Sequence, residues 1–118
     1  RSSYDQKSAA ENFLPFFSLK EKPTAMFCST DNHIPPVICE LSKHGIKVPD
    51  DFSIVGFDGI FQNQMFYDFS IATNVQPFSI MGKRAAEILF GYINKTSVEI
   101  AQEEIPVQFQ DGGSLKQI

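Results

Sequence analysis

The chain has 118 residues, 42% of them hydrophobic and 20% charged, with 12 Phe, no Trp and a formal net charge of -4. That composition excludes an intrinsically disordered chain, which is poor in aromatics and high in net charge, and the length suits one domain rather than two complete ones. The acidic balance and scattered basic residues argue against a phosphate-gripping surface, no apolar run approaches the roughly 20 residues that cross a bilayer, and the two cysteines, Cys28 and Cys39, make no disulfide framework and read as small core side chains of a reducing cytoplasm.

Tyr4 to about Leu14 reads as a helix, with Ala9, Ala10, Phe13 and Leu14 on one face. Pro15 ends or kinks it. The run Thr24-Ala25-Met26-Phe27-Cys28 is continuously apolar apart from its first residue, which suits a strand covered on both faces of a parallel sheet. Ser29-Thr30-Asp31-Asn32 then supplies helix-capping side chains. Ile34, Val37, Ile38 and Leu41 follow at i, i+3, i+4 and i+7, one face of a helix whose first turn tolerates Pro35 and Pro36. Lys43 and His44 suit the last turn and Gly45 the position after it. Phe52 to Phe57 is a second buried strand, completing a strand–helix–strand unit with short connections. A loop from Asp58 to about Ser70 carries Ile60, Phe61, Met65, Phe66, Tyr67 and Phe69, an unusual apolar load that suggests an interface. Ile71 to Val75 is a third strand. Pro77 opens a helix to about Asn94 with Met81, Ala85, Ile88, Leu89 and Tyr92 on one stripe. Ile105, Val107 and Phe109 alternate as a last strand, at an edge because of Pro106, and Asp111 to Ser114 reads as a loose tail.

Ligands of open α/β sheets bind at the carboxyl ends of strands. Two such ends carry polar residues here, Ser29-Thr30-Asp31 and Asp58-Gly59. A carboxylate directly after a buried strand can accept two hydroxyl hydrogen bonds, which matches the vicinal hydroxyls of a sugar; the same residue serves equally as the cap of a turn before Gly59. Asp31 has the same two readings, ligand contact or plain helix cap. No nucleophile–base pair, Gly-rich phosphate loop, nucleophile elbow or metal-ligand motif is present, so neither an enzyme nor a cofactor or metal site is expected.

Three blocks carry a family resemblance. Pro23 to Cys28 with Asp31 resembles the "PTAIFCAND" segment of lactose-repressor-type (LacI/GalR) regulators. Gly45 to Asp58 is similar to their "GLRVPEDVSVVGFDD" segment, and Ala72 to Pro77 with Met81-Gly82 and Ala85-Ala86 is similar to "LTTVRQP…MGRRAA". The blocks stand in the family's order, at nearly its spacing. Gly59 replaces a second Asp, Thr30 stands where Asn is usual, and Pro35-Pro36 replaces small helical residues.

The resemblance implies an α/β parallel-sheet lobe of the periplasmic-binding-protein type I fold, with residues 1–118 forming the C-terminal portion of an effector-binding domain. The helix over 77–94 would pack in the other lobe, and the DNA-binding headpiece would lie upstream. By the same resemblance Asp58, Thr30, Asp31, Gln76, Phe61 and Phe78 would contact a small-molecule effector, a sugar by the chemistry above. Ile34, Val37, Ile38, Leu41, Phe66 and Tyr67 would form a homodimer interface. The implied protein is a cytoplasmic transcriptional regulator whose operator affinity changes with effector binding. A sugar-binding protein of a transport system shares the fold and is the alternative.

Overall fold

The computed structural model describes residues 6–62, 64–66, 68–96 and 102–116. Tyr4 and Tyr67, both named above, lie outside them. The chain divides into two compact units, one made of the residues up to Val75 together with those from Phe109 onward, the other Gln76–Gln108.

In the first unit, helix α1 (Gln6–Phe13) gives way at Pro15 to a tighter 3-10 segment, Leu14–Ser18. Strand β1 (Ala25–Phe27) leads through a 3-10 turn, Asp31–His33, into α2 (Ile34–Lys43), and β2 (Ser53–Asp58) follows. Pro35 and Pro36 sit in the first turn of α2, where the missing N–H groups have no helical acceptor to lose. The end of α2 is a Schellman motif: the Gly45 N–H donates to the Ser42 carbonyl and the Ile46 N–H to the Leu41 carbonyl, with Gly45 at φ +72°.

The segment after β2, expected as a plain loop, holds a two-stranded antiparallel pair, β3 (Met65–Phe66) and β4 (Phe69–Ser70), before β5 (Ala72–Val75). The main sheet has the order β1-β2-β5-β6, with β6 at Gln108–Gln110 on the edge expected for the last strand, though Pro106 lies just outside it. β1, β2 and β5 run parallel, in a register that sets Phe27 beside Val55 and Asp58 beside Val75.

The core lies between the helices and one face of this sheet. Phe13, Phe16, Ile34, Val37, Ile38, Leu41, Phe52, Ile54 and Ile71 are buried together. Phe13, Phe16 and Phe52 form its aromatic centre, with Phe13 and Phe16 stacked at 4.8 Å and Phe52 edge-on to both. Two expectations are corrected here. The stripe Ile34, Val37, Ile38 and Leu41 cannot face a partner copy, because α2 buries it in the core of its own unit with Phe13, Phe16, Phe52 and Ile54. β1 is not covered on both faces: Phe27 is 58% exposed, its ring edge-on to Phe57 at 6.3 Å.

The tail is also corrected. Ser114 is fully buried between β2 and β5: its hydroxyl donates to the Ile54 carbonyl at 2.7 Å and accepts the Ala72 N–H at 2.9 Å. The Ile54 N–H returns a bond to the Ser114 carbonyl at 2.9 Å, and the Ser114 N–H bonds the Ser70 carbonyl at 3.0 Å. Gly112 makes this approach possible, since a Cβ there would sit 2.4 Å from the Ala72 nitrogen.

The second unit contains α3 (Phe78–Ile93) and the extended segment 102–107. Arg84 joins them, bonding Glu103 at 2.6 Å and Glu87 of its own helix at 2.9 Å. Met81, Ile88 and Ile105 line the shallow cleft beside this pair. The expected stripe on α3 is not buried among the described residues: Met81, Leu89 and Tyr92 are exposed and Ile88 is half-buried.

Candidate functional site

The parallel register brings the ends of β1 and β2 out on one edge of the sheet. Thr30 leaves β1 in an extended conformation (φ -151°, ψ 143°), and its hydroxyl accepts the Asn32 N–H at 3.4 Å, capping the turn that starts α2. Thr30 is buried.

Asp31 is wholly buried at 0% exposure. One carboxylate oxygen accepts the Thr73 hydroxyl from β5 at 2.8 Å, and the other accepts the Ile60 N–H at 2.8 Å from the turn after β2. It therefore acts inside the lobe, which corrects its expected place as an effector contact. Gly56 in β2 is what admits it. A Cβ at that position would stand 2.0 Å from the Asp31 Oδ1 and 2.8 Å from the Ile34 Cδ1. The nearby Cys28 thiol is pushed up from 9.0 to about 12, first by burial and then by the negative charge of Asp31.

Asp58 ends β2 with φ +109°, a backbone conformation that L side chains rarely adopt. Its side chain is half-buried at the sheet edge. Such strain costs on the order of 1–3 kcal/mol and persists only where the surroundings over-determine it, most often at binding and active sites. Gly59 follows at φ +77°, and a Cβ there would meet Val75 at 2.8 Å, so the usual second Asp of the family pattern has no room in this turn. Phe61 is half-buried two residues further on, where its carbonyl accepts the Gln64 N–H at 3.0 Å.

Thr30, Asp58 and Phe61 thus share one edge of the first unit. Gln76 and Phe78 belong to the second unit: Gln76 directly follows Val75, and its carbonyl accepts the Phe78 N–H at 2.9 Å, with the Phe78 ring exposed at the start of α3. Phe66 lies in β3 opposite Phe69. Among the described residues no group of three or more His, Cys, Asp or Glu is placed to hold a metal ion, and no helix is long and apolar enough to cross a membrane.

Sequence reasoning missed Gly56, Thr73 and Ser114. A glycine inside an apolar strand is a signal for close approach of another group, and Gly56 carried it. Thr73 showed only as a polar residue within a short strand. Nothing in the sequence marked Ser114, because its partners lie 42 and 60 positions away.

Comparison with known proteins agrees with this geometry. The family described as the periplasmic binding protein-like domain matches residues 2–115. An HTH-type transcriptional repressor PurR from Photobacterium profundum is 34% identical over 86 residues, 73% of this chain and 25% of the relative. A LacI family transcriptional regulator from Bifidobacterium animalis subsp. lactis superposes with a TM-score of 0.84 at 25% identity, over 97% of this chain and 41% of that one. A LacI family transcriptional regulator from Enterococcus faecium, solved with bound ribose, gives a TM-score of 0.81 at 21% identity, again over 97% and 41%. The chain spans about a quarter to a third of the length of the curated relatives it matches. The parallel sheet and these matches together lead to one assignment: the chain belongs to the periplasmic binding protein-like domain family and is similar to that domain in LacI-family regulators.

Proposed function

We propose that this chain is the effector-sensing part of a DNA-binding transcriptional regulator, and that Asp58 holds a polyhydroxylated small molecule, a sugar, at the edge of the sheet. The observation that carries the reading is the Asp58 carboxylate, held at positive φ on the carboxyl end of a central parallel strand. A carboxylate there can accept two vicinal hydroxyls at once. Thr30 and Phe61 stand at the same edge, Thr30 to hydrogen-bond and Phe61 to stack on a ring. Gln76 and Phe78 would be further effector contacts, and α3 would belong to a second lobe of the complete effector-binding domain. The regulator works as a cytoplasmic homodimer and grips operator DNA through an N-terminal headpiece.

The mechanism is a population shift. An effector alters operator affinity only if it binds one arrangement of the lobes better than another, and the shift cannot exceed that difference in affinity. Asp58 supplies a contact of this kind, since hydrogen bonds to a charged carboxylate contribute about 1.5–3 kcal/mol. Asp58→Ala in the intact regulator is expected to leave operator binding in place and to abolish its response to effector. The measurement is operator binding titrated with ribose, lactose and the free nucleobases. A variant that still responds as the parent does would remove Asp58 from the site.

A further inference from the structure

The turn that carries Asp58 is strained, and something must hold it. Asp58 and Gly59 both have positive φ, and a Cβ on Gly59 would stand 2.8 Å from the Val75 side chain, so only glycine fits there. The residue that follows, Ile60, donates its N–H to Asp31 across 29 positions of sequence. The other oxygen of that carboxylate is fixed by Thr73 on β5. No side chain intervenes, because Gly56 leaves the carboxylate lying directly against the β2 backbone.

We infer that Asp31 is the positioning residue for Asp58: its buried carboxylate fastens the strained turn to strand β5. This inference rests on the reading of Asp58 as the effector carboxylate, but its geometry is testable without any effector. The physical reason is the pairing of one acceptor group with two donors. A buried carboxylate that loses either donor must be re-paired at considerable cost, so neither strand end can move independently of the other. Thr73 lies three residues before Gln76, where the second unit begins. The turn presenting Asp58 and strand β5 are therefore held on a single post.

The two bonds differ from the cap expected of Asp31. A capping aspartate accepts the N–H groups of its own helix, whereas this one reaches two other elements of the sheet edge. Its buried position also accounts for the glycine at 56 and the hydroxyl at 73, which a cap would not require.

The test is amide hydrogen exchange and carboxyl resonance measurement by NMR on this chain, comparing the parent with Asp31→Asn, Thr73→Val and Thr73→Ser. Asp31→Asn replaces charge-assisted bonds with neutral ones of roughly half the strength, so the Ile60 amide is expected to exchange about tenfold faster or more. The Asp58 carboxyl resonance moves with it, while the Leu41 and Ile54 amides keep their protection. Thr73→Val is expected to give the same local change and Thr73→Ser to restore the parent behaviour, which keeps the test open if Asp31→Asn fails to fold. Unchanged Ile60 exchange and an unchanged Asp58 resonance in both Asp31→Asn and Thr73→Val would overturn the inference, and so would loss of protection spread evenly over the core. If Asp58→Ala leaves the effector response intact while these resonances move as expected, the post stands and only the effector reading falls.

Discussion

At the scale of single residues, this lobe separates two cysteines that the sequence shows in similar company. Both stand among apolar neighbours, and both read as core. Cys28 is buried, whereas Cys39 on α2 is exposed, because the helix turns it away from the stripe that Ile38 and Leu41 bury. The Cys28 thiol is raised from 9.0 to about 12 by burial and by the Asp31 charge. At pH 8 this lowers its thiolate fraction about a thousandfold, and only the thiolate is alkylated. Iodoacetamide is therefore expected to modify Cys39 and leave Cys28 intact in the folded chain, with both labelled after denaturation. Peptide mass mapping reads the result, and comparable labelling of both under native conditions would contradict the burial of Cys28. The same shift has a consequence for stability. Above about pH 9 the unfolded chain releases this proton while the folded chain keeps it, so the stability present below pH 9 falls as pH rises toward 12.

At the scale of elements, two helices end in the same way with different residues. α2 places Gly45 in the left-handed position of its Schellman motif, at φ +72° with nothing within 4 Å of the place a Cβ would take. α3 repeats the motif, with the Lys95 N–H bonding the Tyr92 carbonyl and the Thr96 N–H the Gly91 carbonyl, but puts Lys95 in the left-handed position at φ +54°. A side chain there costs roughly 1 kcal/mol. Gly45→Ala is thus expected to destabilise by about 1 kcal/mol, and Lys95→Gly to stabilise α3 by a similar amount less the extra entropy of glycine in the unfolded chain. Denaturant unfolding measures the first and helix-specific amide exchange the second; equal signs for the two substitutions would refute the common motif. These ends also show what a sequence can carry. Gly45 after Lys43 and His44 was a legible stop because the signal is local. The Ser114 tail was not legible, since its hydroxyl completes a bond between two strands that the tail joins only after the fold has formed. The β3–β4 pair was hidden for another reason: two residues per strand are too few to show alternation.

At the scale of the whole molecule, the two units differ in how they treat apolar surface. The first encloses a continuous core of aromatic and branched side chains on one face of its sheet. In the second, Phe78, Ile80, Leu89, Phe90, Tyr92 and Ile93 are all exposed, and of α3 only Gly91 is buried. A helix that is apolar around most of its circumference belongs inside a larger body. The resemblance implies that this helix packs in another lobe, and the chain spans only about a quarter to a third of the curated relatives it matches. The proposal that α3 packs within a second lobe makes a prediction whose sign depends on context. Each large apolar side chain covered by that lobe contributes about 1.5–3 kcal/mol on burial. In a polypeptide of the relatives' full length, Leu89→Lys with Phe90→Glu is expected to lower stability by several kcal/mol. In this chain alone, the same pair removes exposed apolar surface and is expected to reduce self-association and the binding of a hydrophobic dye. Thermal unfolding of the long form and sedimentation of the short form together test the reversal. If the charged pair were harmless in both, α3 would have no lobe to cover it. If it were damaging in both, the helix would already be seated within this chain, and the cleft beside Arg84 and Glu103 would be part of a finished core.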